Sequence, residues 1–305
     1  MKKKLTLGLF FIVLFGIATA QKPADFTGSL LWKISGNDLK TPSYVFGTYH
    51  LLGKELMDSV YGLKEAFDAA SQIIGEMDMA DKVAMNNKMM QAAMLPEGVT
   101  YKALLSDDEY TRLDAGLKSI LVTGLDQMGM LKPGMISIAM MTTLYIKQHP
   151  EFNPSELEAI DEYLQTIARK NNKTVKGLET IEEQVDILFN SDDIKIEMQA
   201  LLCAVESIEF TMEQGKMLDI DYKRGDLNQM YTSLYDNDKN PCKEYVTQAA
   251  IDVLLKNRND KWLEKLPALM ADKPSLIVVG ALHLAGEEGI LYQLSQKGYT
   301  VEAVR

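Results

Sequence analysis

"SLIVVGALHLAGEEGILYQLSQKGYTVEAV", residues Ser275–Val304, carries the pattern that decides the fold. Its opening run of β-branched and apolar residues predicts a buried strand, and "AGEEGILYQLSQKG" predicts a helix that Gly298 closes. The segment "YTVEAV" then predicts a last strand. A β-α-β ending of this kind favours a layered α/β architecture.

The beginning of the chain supplies strands that can join this sheet. "SLLWKIS" (Ser29–Ser35) and "YVFGTYH" (Tyr44–His50) predict a hairpin around the turn residues of "GNDLKTPS". "SQIIGEMDM" (Ser71–Met79) predicts a buried strand that carries Glu76. The predicted fold class is therefore α/β, with a central mixed β-sheet flanked by helices. We expect two halves, with strands from both chain ends and a helical middle region.

Helical patterns fill the middle of the chain. Leu63–Ala70 predicts a short amphipathic helix, and Ser106 with Glu109 forms a capping-box pattern. "NPSELEAIDEYLQTIARKNN" predicts a long helix that Asn153 caps. "KTVKGLE" predicts a short strand that leads into the helix "TIEEQVDILF".

Ala80–Leu95 predicts a helix unusually rich in methionine, with Met85, Met89, Met90 and Met94. Methionines at helical spacing favour a gap-filling core or the lining of a groove. A copper-binding methionine cluster is the alternative, although it lacks a neighbouring His or Cys.

The amino terminus has the composition of a secretory signal peptide over residues 1–20. Three lysines precede an apolar run from Leu5 to Ala18, and Ala18-Thr19-Ala20 provides a small-residue cleavage site. Because the run is short of the roughly 20 residues that span a bilayer, a retained membrane anchor is the less favoured alternative. We expect an exported chain, periplasmic or secreted, with an α/β domain over residues 21–305 and no stable membrane span after cleavage.

Charge and cysteine content limit the partners and the redox state. Removing residues 1–20 deletes three lysines and no acid, which takes the formal net charge from -11 to -14. Because phosphate binding needs clustered basic residues, nucleic acid is not an expected partner. Cys203 and Cys242 are compatible with either a disulfide or two free thiols.

Two of the three histidines share one local context. "GTYH" (Gly47–His50) and "GALH" (Gly280–His283) both follow a predicted strand. A glycine three residues before a histidine lets the backbone turn or approach a ligand closely at the strand end. Neutral imidazoles bind first-row metals, and two of them with a carboxylate leave room for water. Glu76 is the expected carboxylate, unless its strand is an edge that turns Glu76 to solvent.

The chain resembles the TraB/GumN family, which includes the animal Tiki proteases, through motifs that span Leu30–Val304 in order. The motifs are "LLWKISG", "SYVFGTYHLLG", "IIGEMD", "LPEGVTYKALLSDDEY", "AIDEYLQTIARKNNKTVKGLETIEEQ", "YKRGDL", "KNRND" and "VVGALHLAGEEGILYQLSQKGYTVEAV". The resemblance implies a fold related to the ChaN and erythromycin-esterase type. It also implies a divalent metal, with cobalt or manganese favoured over zinc.

The resemblance further implies an active-site set of His50, His283, Glu76 and Arg258. Asn259 and Glu179 are implied as residues that support these groups or line the pocket, beside Gly47 and Gly280 of the two glycine turns. The pattern without the family leaves alternatives open. Arg258 could be a solvated helix residue, and Glu179 could cap a helix or lie exposed on it.

The expected function is a metal-dependent hydrolase, a peptidase acting on peptide or protein substrates. His50, His283 and Glu76 would bind the metal, with Glu76 as a ligand or a base, and Arg258 would stabilise negative charge. One alternative is a non-enzymatic metal- or haem-binding protein with Tyr49 as an axial ligand. Another is an interaction module without catalysis. His149, which precedes a proline, predicts a loop residue outside the site, and the oligomeric state stays open.

Overall fold

A computed structural model describes residues 26–190, 193–235 and 238–305. The predicted signal peptide lies outside the described residues. In the part of the chain described, no helix is both long and apolar enough to cross a membrane.

The six strands of the sheet come from both ends and from the middle of the chain. They are β1 Leu31–Ser35, β2 Ser43–Thr48, β3 Gln72–Gly75, β4 Thr174–Gly177, β5 Ser275–Gly280 and β6 Thr300–Ala303. Their order across the sheet is β4-β3-β5-β2-β1-β6. The pairs β4-β3, β3-β5 and β5-β2 are parallel, whereas β1 is antiparallel to both β2 and β6. The predicted mixed sheet is therefore confirmed.

Helices occupy most of the remaining chain. They are α1 Leu56–Ser59, α2 Leu63–Ala69, α3 Lys82–Ala92, α4 Tyr101–Leu104, α5 Asp107–Leu121, α6 Leu125–Met128, α7 Pro133–Gln148, α8 Ile160–Lys170, α9 Ile181–Phe189, α10 Ile194–Glu206, α11 Ile208–Arg224, α12 Leu227–Tyr235, α13 Gln248–Leu254, α14 Lys256–Asp272 and α15 Ile290–Gln296. A single 3-10 turn, Ala281–His283, joins β5 to the segment before α15.

The described residues form two hydrophobic cores. The larger core surrounds the sheet and contains residues from both chain ends, such as Phe46 and Ile277. The smaller core lies among α4, α5, α7 and α10, where Leu113, Leu117 and Ile136 are fully buried. The helical middle of the chain therefore folds around apolar residues of its own.

Helices α5 and α9 begin where the sequence has both residues of a capping box. Ser106 and Glu109 cap α5, and Thr180 and Glu183 cap α9, each with side chain and backbone bonded in both directions. The predicted cap at Asn153 is wrong. Its Oδ1 accepts from the backbone N–H of Ser155 in a local turn, and α8 begins only at Ile160.

Two further expectations need correction. The strand predicted for Ser71–Met79 is only β3, because pairing with β4 and β5 ends at Gly75, so Glu76 follows the strand. The methionine-rich helix α3 contains no fully buried residue, and 52% of Met90 is exposed. The expected core role is therefore wrong for this helix, whereas Met85 does line a groove.

Candidate active site at one edge of the sheet

The carboxyl ends of four parallel neighbouring strands place four ionisable side chains at one edge of the sheet. Glu179 follows β4, Glu76 follows β3, His283 follows β5 and His50 follows β2, each within three residues of the strand end. Ligands of α/β proteins bind at this edge of a parallel sheet. Adjacent strands lie about 4.8 Å apart, so the strand order sets the order of these side chains.

Glu76 is buried against the next strand instead of facing solvent. Its Oε1 accepts a hydrogen bond of 2.8 Å from the backbone N–H of Gly280, and its Oε2 accepts one of 2.6 Å from Nη2 of Arg258. Only 10% of its side chain is exposed. An ionised carboxylate at this depth requires such donors.

Arg258, in the first turn of α14, links the ionisable groups to one another. Its Nε donates to Oε2 of Glu179 at 3.1 Å, and its Nη2 donates to Oε1 of the same carboxylate as well as to Glu76. Its Nη1 lies 3.1 Å from Nε2 of His283. Arg258 is thus a buried member of the cluster and not a solvated helix residue.

Glu179 is held from two further directions. Gln184 Nε2 donates to its Oε1 at 3.0 Å, and Trp262 Nε1 donates to its Oε2 at 3.3 Å. The capping of α9 is carried out by Thr180 and Glu183, which leaves the Glu179 carboxylate for Arg258. Glu179 therefore does not cap the helix.

Asn259 fixes the tautomer of His283. Its Nδ2 donates to the backbone carbonyls of His283 at 3.2 Å and Glu288 at 2.8 Å. The amide oxygen must therefore face Nδ1 of His283, 2.8 Å away. Because that oxygen only accepts, His283 carries its hydrogen on Nδ1 and has a lone pair on Nε2.

His50 has an equivalent arrangement with a different partner. Its Nδ1 lies 3.2 Å from Oδ2 of Asp161, the second residue of α8, and Oδ1 of Asp161 accepts from Thr48 Oγ1 at 2.7 Å. The Asp161 side chain is 8% exposed, whereas that of His50 is 65% exposed. His50 thus lies at the rim of the site, and its hydrogen-bond partner lies inside.

Electrostatics separate the two histidines. Burial lowers the pKa of His283 to about 3, so this imidazole is neutral. The hydrogen bond to Asp161 raises the pKa of His50 above its ordinary value. Burial opposes ionisation of Glu76, whereas the positive charge of Arg258 and the hydrogen bond from the N–H of Gly280 lower the pKa of that carboxyl.

The two glycines that open the GxxH motifs differ in how closely their neighbours approach. A Cβ on Gly47 would lie 3.0 Å from Cα of Ala281, in the 3-10 turn that carries His283. A Cβ on Gly280 would lie 3.4 Å from Oε1 of Glu76, at the point where its N–H reaches that carboxylate. A side chain would therefore crowd the 3-10 turn at Gly47, whereas at Gly280 it would make ordinary van der Waals contact, and neither glycine has a positive φ.

A groove of about 350 Å³ adjoins the site at Glu179. Its walls come from α3, from the segment after β3 and from the start of α9, and they include Met77, Met85 and Ile181. Tyr49, considered above as an axial haem ligand, packs its ring against Tyr145 and Tyr222. Burial raises the pKa of Tyr49 to about 12, which disfavours the phenolate that would bind iron.

The sequence patterns do not predict three residues of the cluster, namely Asp161, Gln184 and Trp262. Asp161 had a signal that could have identified it. It shares the buried face of α8 with Leu164 and Ala168, so a carboxylate lies in phase with an apolar stripe. Acidic residues in the first turn of a helix are common, which conceals that signal.

The donor chemistry of the site fits a divalent metal. His50 and His283 each have Nδ1 engaged by an oxygen, as metal-binding histidines do, and Glu76 follows the strand next to that of His283. Nε2 of His283 lies 3.9 Å from Oε1 of Glu76 and shares its lone pair with Arg258. Within residues 26–190, 193–235 and 238–305, no three His, Cys, Asp or Glu side chains already converge as a metal-binding group.

His149 lies outside this cluster. It follows the last residue of α7, stacks on Tyr145 at 4.3 Å between ring centroids, and has Asp219 3.7 Å from its Nε2. The predicted loop position is confirmed, and the side chain packs against α7 and α11.

Comparison with known proteins places these features in a family. The chain is 25% identical to "Metalloprotease TIKI2" of Danio rerio over 90% of its own length and 60% of that protein. It is also 25% identical to "Metalloprotease TIKI1" of Homo sapiens, over 90% of this chain and 61% of that protein. The chain thus spans about three-fifths of the length of these curated relatives. No solved structure gives a significant match.

The model of the TraB/PrgY/gumN family matches residues 30–303, which include all six strands and both GxxH motifs. The chain therefore belongs to the TraB/PrgY/gumN family.

Proposed function

We propose that this protein is an exported metal-dependent hydrolase, a peptidase that acts on peptide or protein substrates. The observation that carries the proposal is the placement of two histidines with Nδ1 engaged by an oxygen after the parallel neighbours β2 and β5, with Glu76 after the next strand. The relatives that carry the name metalloprotease support the same reaction class.

His50, His283 and Glu76 would hold the metal. A bound divalent cation polarises a carbonyl and lowers the pKa of water, which is the chemistry that peptide hydrolysis needs. Nitrogen and oxygen donors without thiolate suit manganese, cobalt and zinc, and we favour cobalt or manganese by family resemblance.

Of the two roles considered for Glu76, its hydrogen bonds favour metal binding over proton transfer. A carboxylate that accepts from Gly280 and Arg258 is a weak base, but its charge attracts a cation. Arg258 is anchored by Glu179 through two hydrogen bonds. The guanidinium would stabilise the oxyanion that forms when a peptide carbonyl is attacked by giving up one of the five hydrogen bonds that occupy its N–H groups, to Glu76, Glu179, His283 and the Leu254 carbonyl.

Export is supported by the amino-terminal composition and by one covalent feature. Cys203 and Cys242 form a disulfide, with 5.7 Å between their Cα atoms. Disulfides persist in oxidising compartments such as the periplasm and the extracellular space. The sequence alone is compatible with either a disulfide or two free thiols, and the structure has the disulfide.

The proposal is tested by incubating the purified protein, loaded with cobalt or manganese, with a broad peptide library and identifying the products by mass spectrometry. We expect cleavage by the wild type and none by Glu76→Gln, which keeps the shape of the side chain but removes its charge. His149→Ala, outside the cluster, should cleave the same peptides. Unchanged cleavage by Glu76→Gln would contradict the assigned role, and no cleavage by the loaded wild type would contradict the peptidase itself.

A further inference from the structure

We infer that Asp161 is a positioning residue that presents Nε2 of His50 to the metal. This inference rests on the proposed function, because it assigns how one of the proposed ligands is held. Asp161 would not touch the metal or the substrate, and it would act through the imidazole.

Both oxygens of the Asp161 carboxylate have hydrogen-bond partners. Its Oδ1 accepts from Thr48 Oγ1 at 2.7 Å, and its Oδ2 lies 3.2 Å from Nδ1 of His50. An ionised carboxylate can only accept, so His50 carries a hydrogen on Nδ1. Nε2 of His50 is then the nitrogen left for a cation, whereas Nε2 of His283 already accepts from Arg258.

His50 and Asp161 differ in how much of each side chain is exposed to solvent. The His50 side chain is 65% exposed and would sample several rotamers if nothing held it. The Asp161 side chain is 8% exposed and is held by Thr48, which is itself buried at the end of β2. A buried carboxylate thus orients an exposed ring.

Backbone pairing brings Asp161 close to His50. The segment after His50 pairs with the segment before α8 through a bridge between Gly53 and Ala159. Lys54 N–H donates to the Glu158 carbonyl at 3.1 Å, and Ile160 N–H donates to the Leu52 carbonyl at 3.1 Å. The "LLG" after His50 therefore anchors the helix that carries Asp161.

The two histidines differ in the charge of their supports. His283 has the neutral amide of Asn259, whereas His50 has the carboxylate of Asp161. A carboxylate makes an imidazole a better metal ligand, and loss of such a partner lowers metal affinity by about 10- to 100-fold. His50, the exposed histidine, therefore has the hydrogen-bond partner that strengthens metal binding more.

The test is a cobalt titration of the metal-free full chain, followed by the visible absorption of the bound ion. We expect Asp161→Ala to bind cobalt about ten-fold or more weakly and with altered bands, since the ring loses its orientation. Asp161→Asn, which keeps an acceptor without the charge, should lie between Asp161→Ala and the wild type. Glu158→Gln is the matched control, because it removes an acid that pairs with exposed Lys54 and does not contact His50.

Thr48→Val provides a second route if Asp161→Ala folds poorly. It leaves the carboxylate in place but removes the donor to Oδ1, so cobalt affinity should fall less than in Asp161→Ala. Cobalt affinity and spectrum equal to wild type in both Asp161→Asn and Thr48→Val would overturn the assignment while leaving the proposed function intact. A wild type that takes up no cobalt would overturn both.

Discussion

At the residue scale, the site depends on one buried cation between two buried carboxylates. Arg258 donates to Glu76 and to Glu179, whose side chains are 10% and 5% exposed. Each carboxylate would be costly at this depth without a positive partner. Removing the guanidinium should therefore affect the free energy of unfolding as well as catalysis.

We expect Arg258→Ala to lower the free energy of unfolding by about 3–5 kcal/mol, because it leaves buried charge unpaired. Lys88→Ala is the matched control. Lys88 pairs with Glu182 at the surface, and such pairs contribute about 0–1 kcal/mol. Urea unfolding followed by circular dichroism measures both variants. Equal losses in the two variants would mean that the Arg258 cluster is solvated.

Some of these residues can be predicted from the sequence and others cannot, for physical reasons. The two GxxH turns are visible because the same small motif occurs twice in a chain with three histidines. The position of Arg258 follows only from the family resemblance, since arginine in a helix is ordinary. Asp161 is hidden because its partner, His50, lies 111 residues earlier.

At the element scale, hydrophobic periodicity predicts the strands well and the helix ends less well. β1, β2 and β5 form where β-branched and aromatic runs occur. The segment before α8 has helical periodicity, yet its backbone pairs with Leu52 and Lys54 instead. That tertiary pairing overrides the local preference for a helix that starts at Asn153.

The disulfide ties α10 to the segment before α13. Cys203 and Cys242 are 39 residues apart in sequence. Closing a loop of that length removes chain entropy from the unfolded state, and the entropic model assigns this about 4 kcal/mol. We expect the Cys203→Ser/Cys242→Ser double variant to unfold at lower urea concentration than the oxidised wild type.

Reductant supplies the control for that comparison. It should lower the unfolding midpoint of the wild type and leave the double variant unchanged, because only the wild type has a disulfide to lose. A wild type whose midpoint does not respond to reductant would contradict the pairing.

At the scale of the whole molecule, the topology creates the site. β5 enters the sheet between β3 and β2, so residues from opposite ends of the chain become neighbours at one sheet edge. Periodicity predicts strands but not their order in the sheet, because the order depends on contacts between distant parts of the chain. The sequence therefore predicts that His50 and His283 form a pair, whereas their separation from Glu76 depends on this strand order.

The proposed function requires that His50 and His283 belong to one metal site. Its most direct test is the metal content of the purified protein after reconstitution with cobalt or manganese, measured by elemental analysis. We expect a single metal ion per chain in the wild type and in His149→Ala, and a marked loss in both His50→Ala and His283→Ala. Wild-type metal content in either of those two variants would show that the two histidines do not share a metal site.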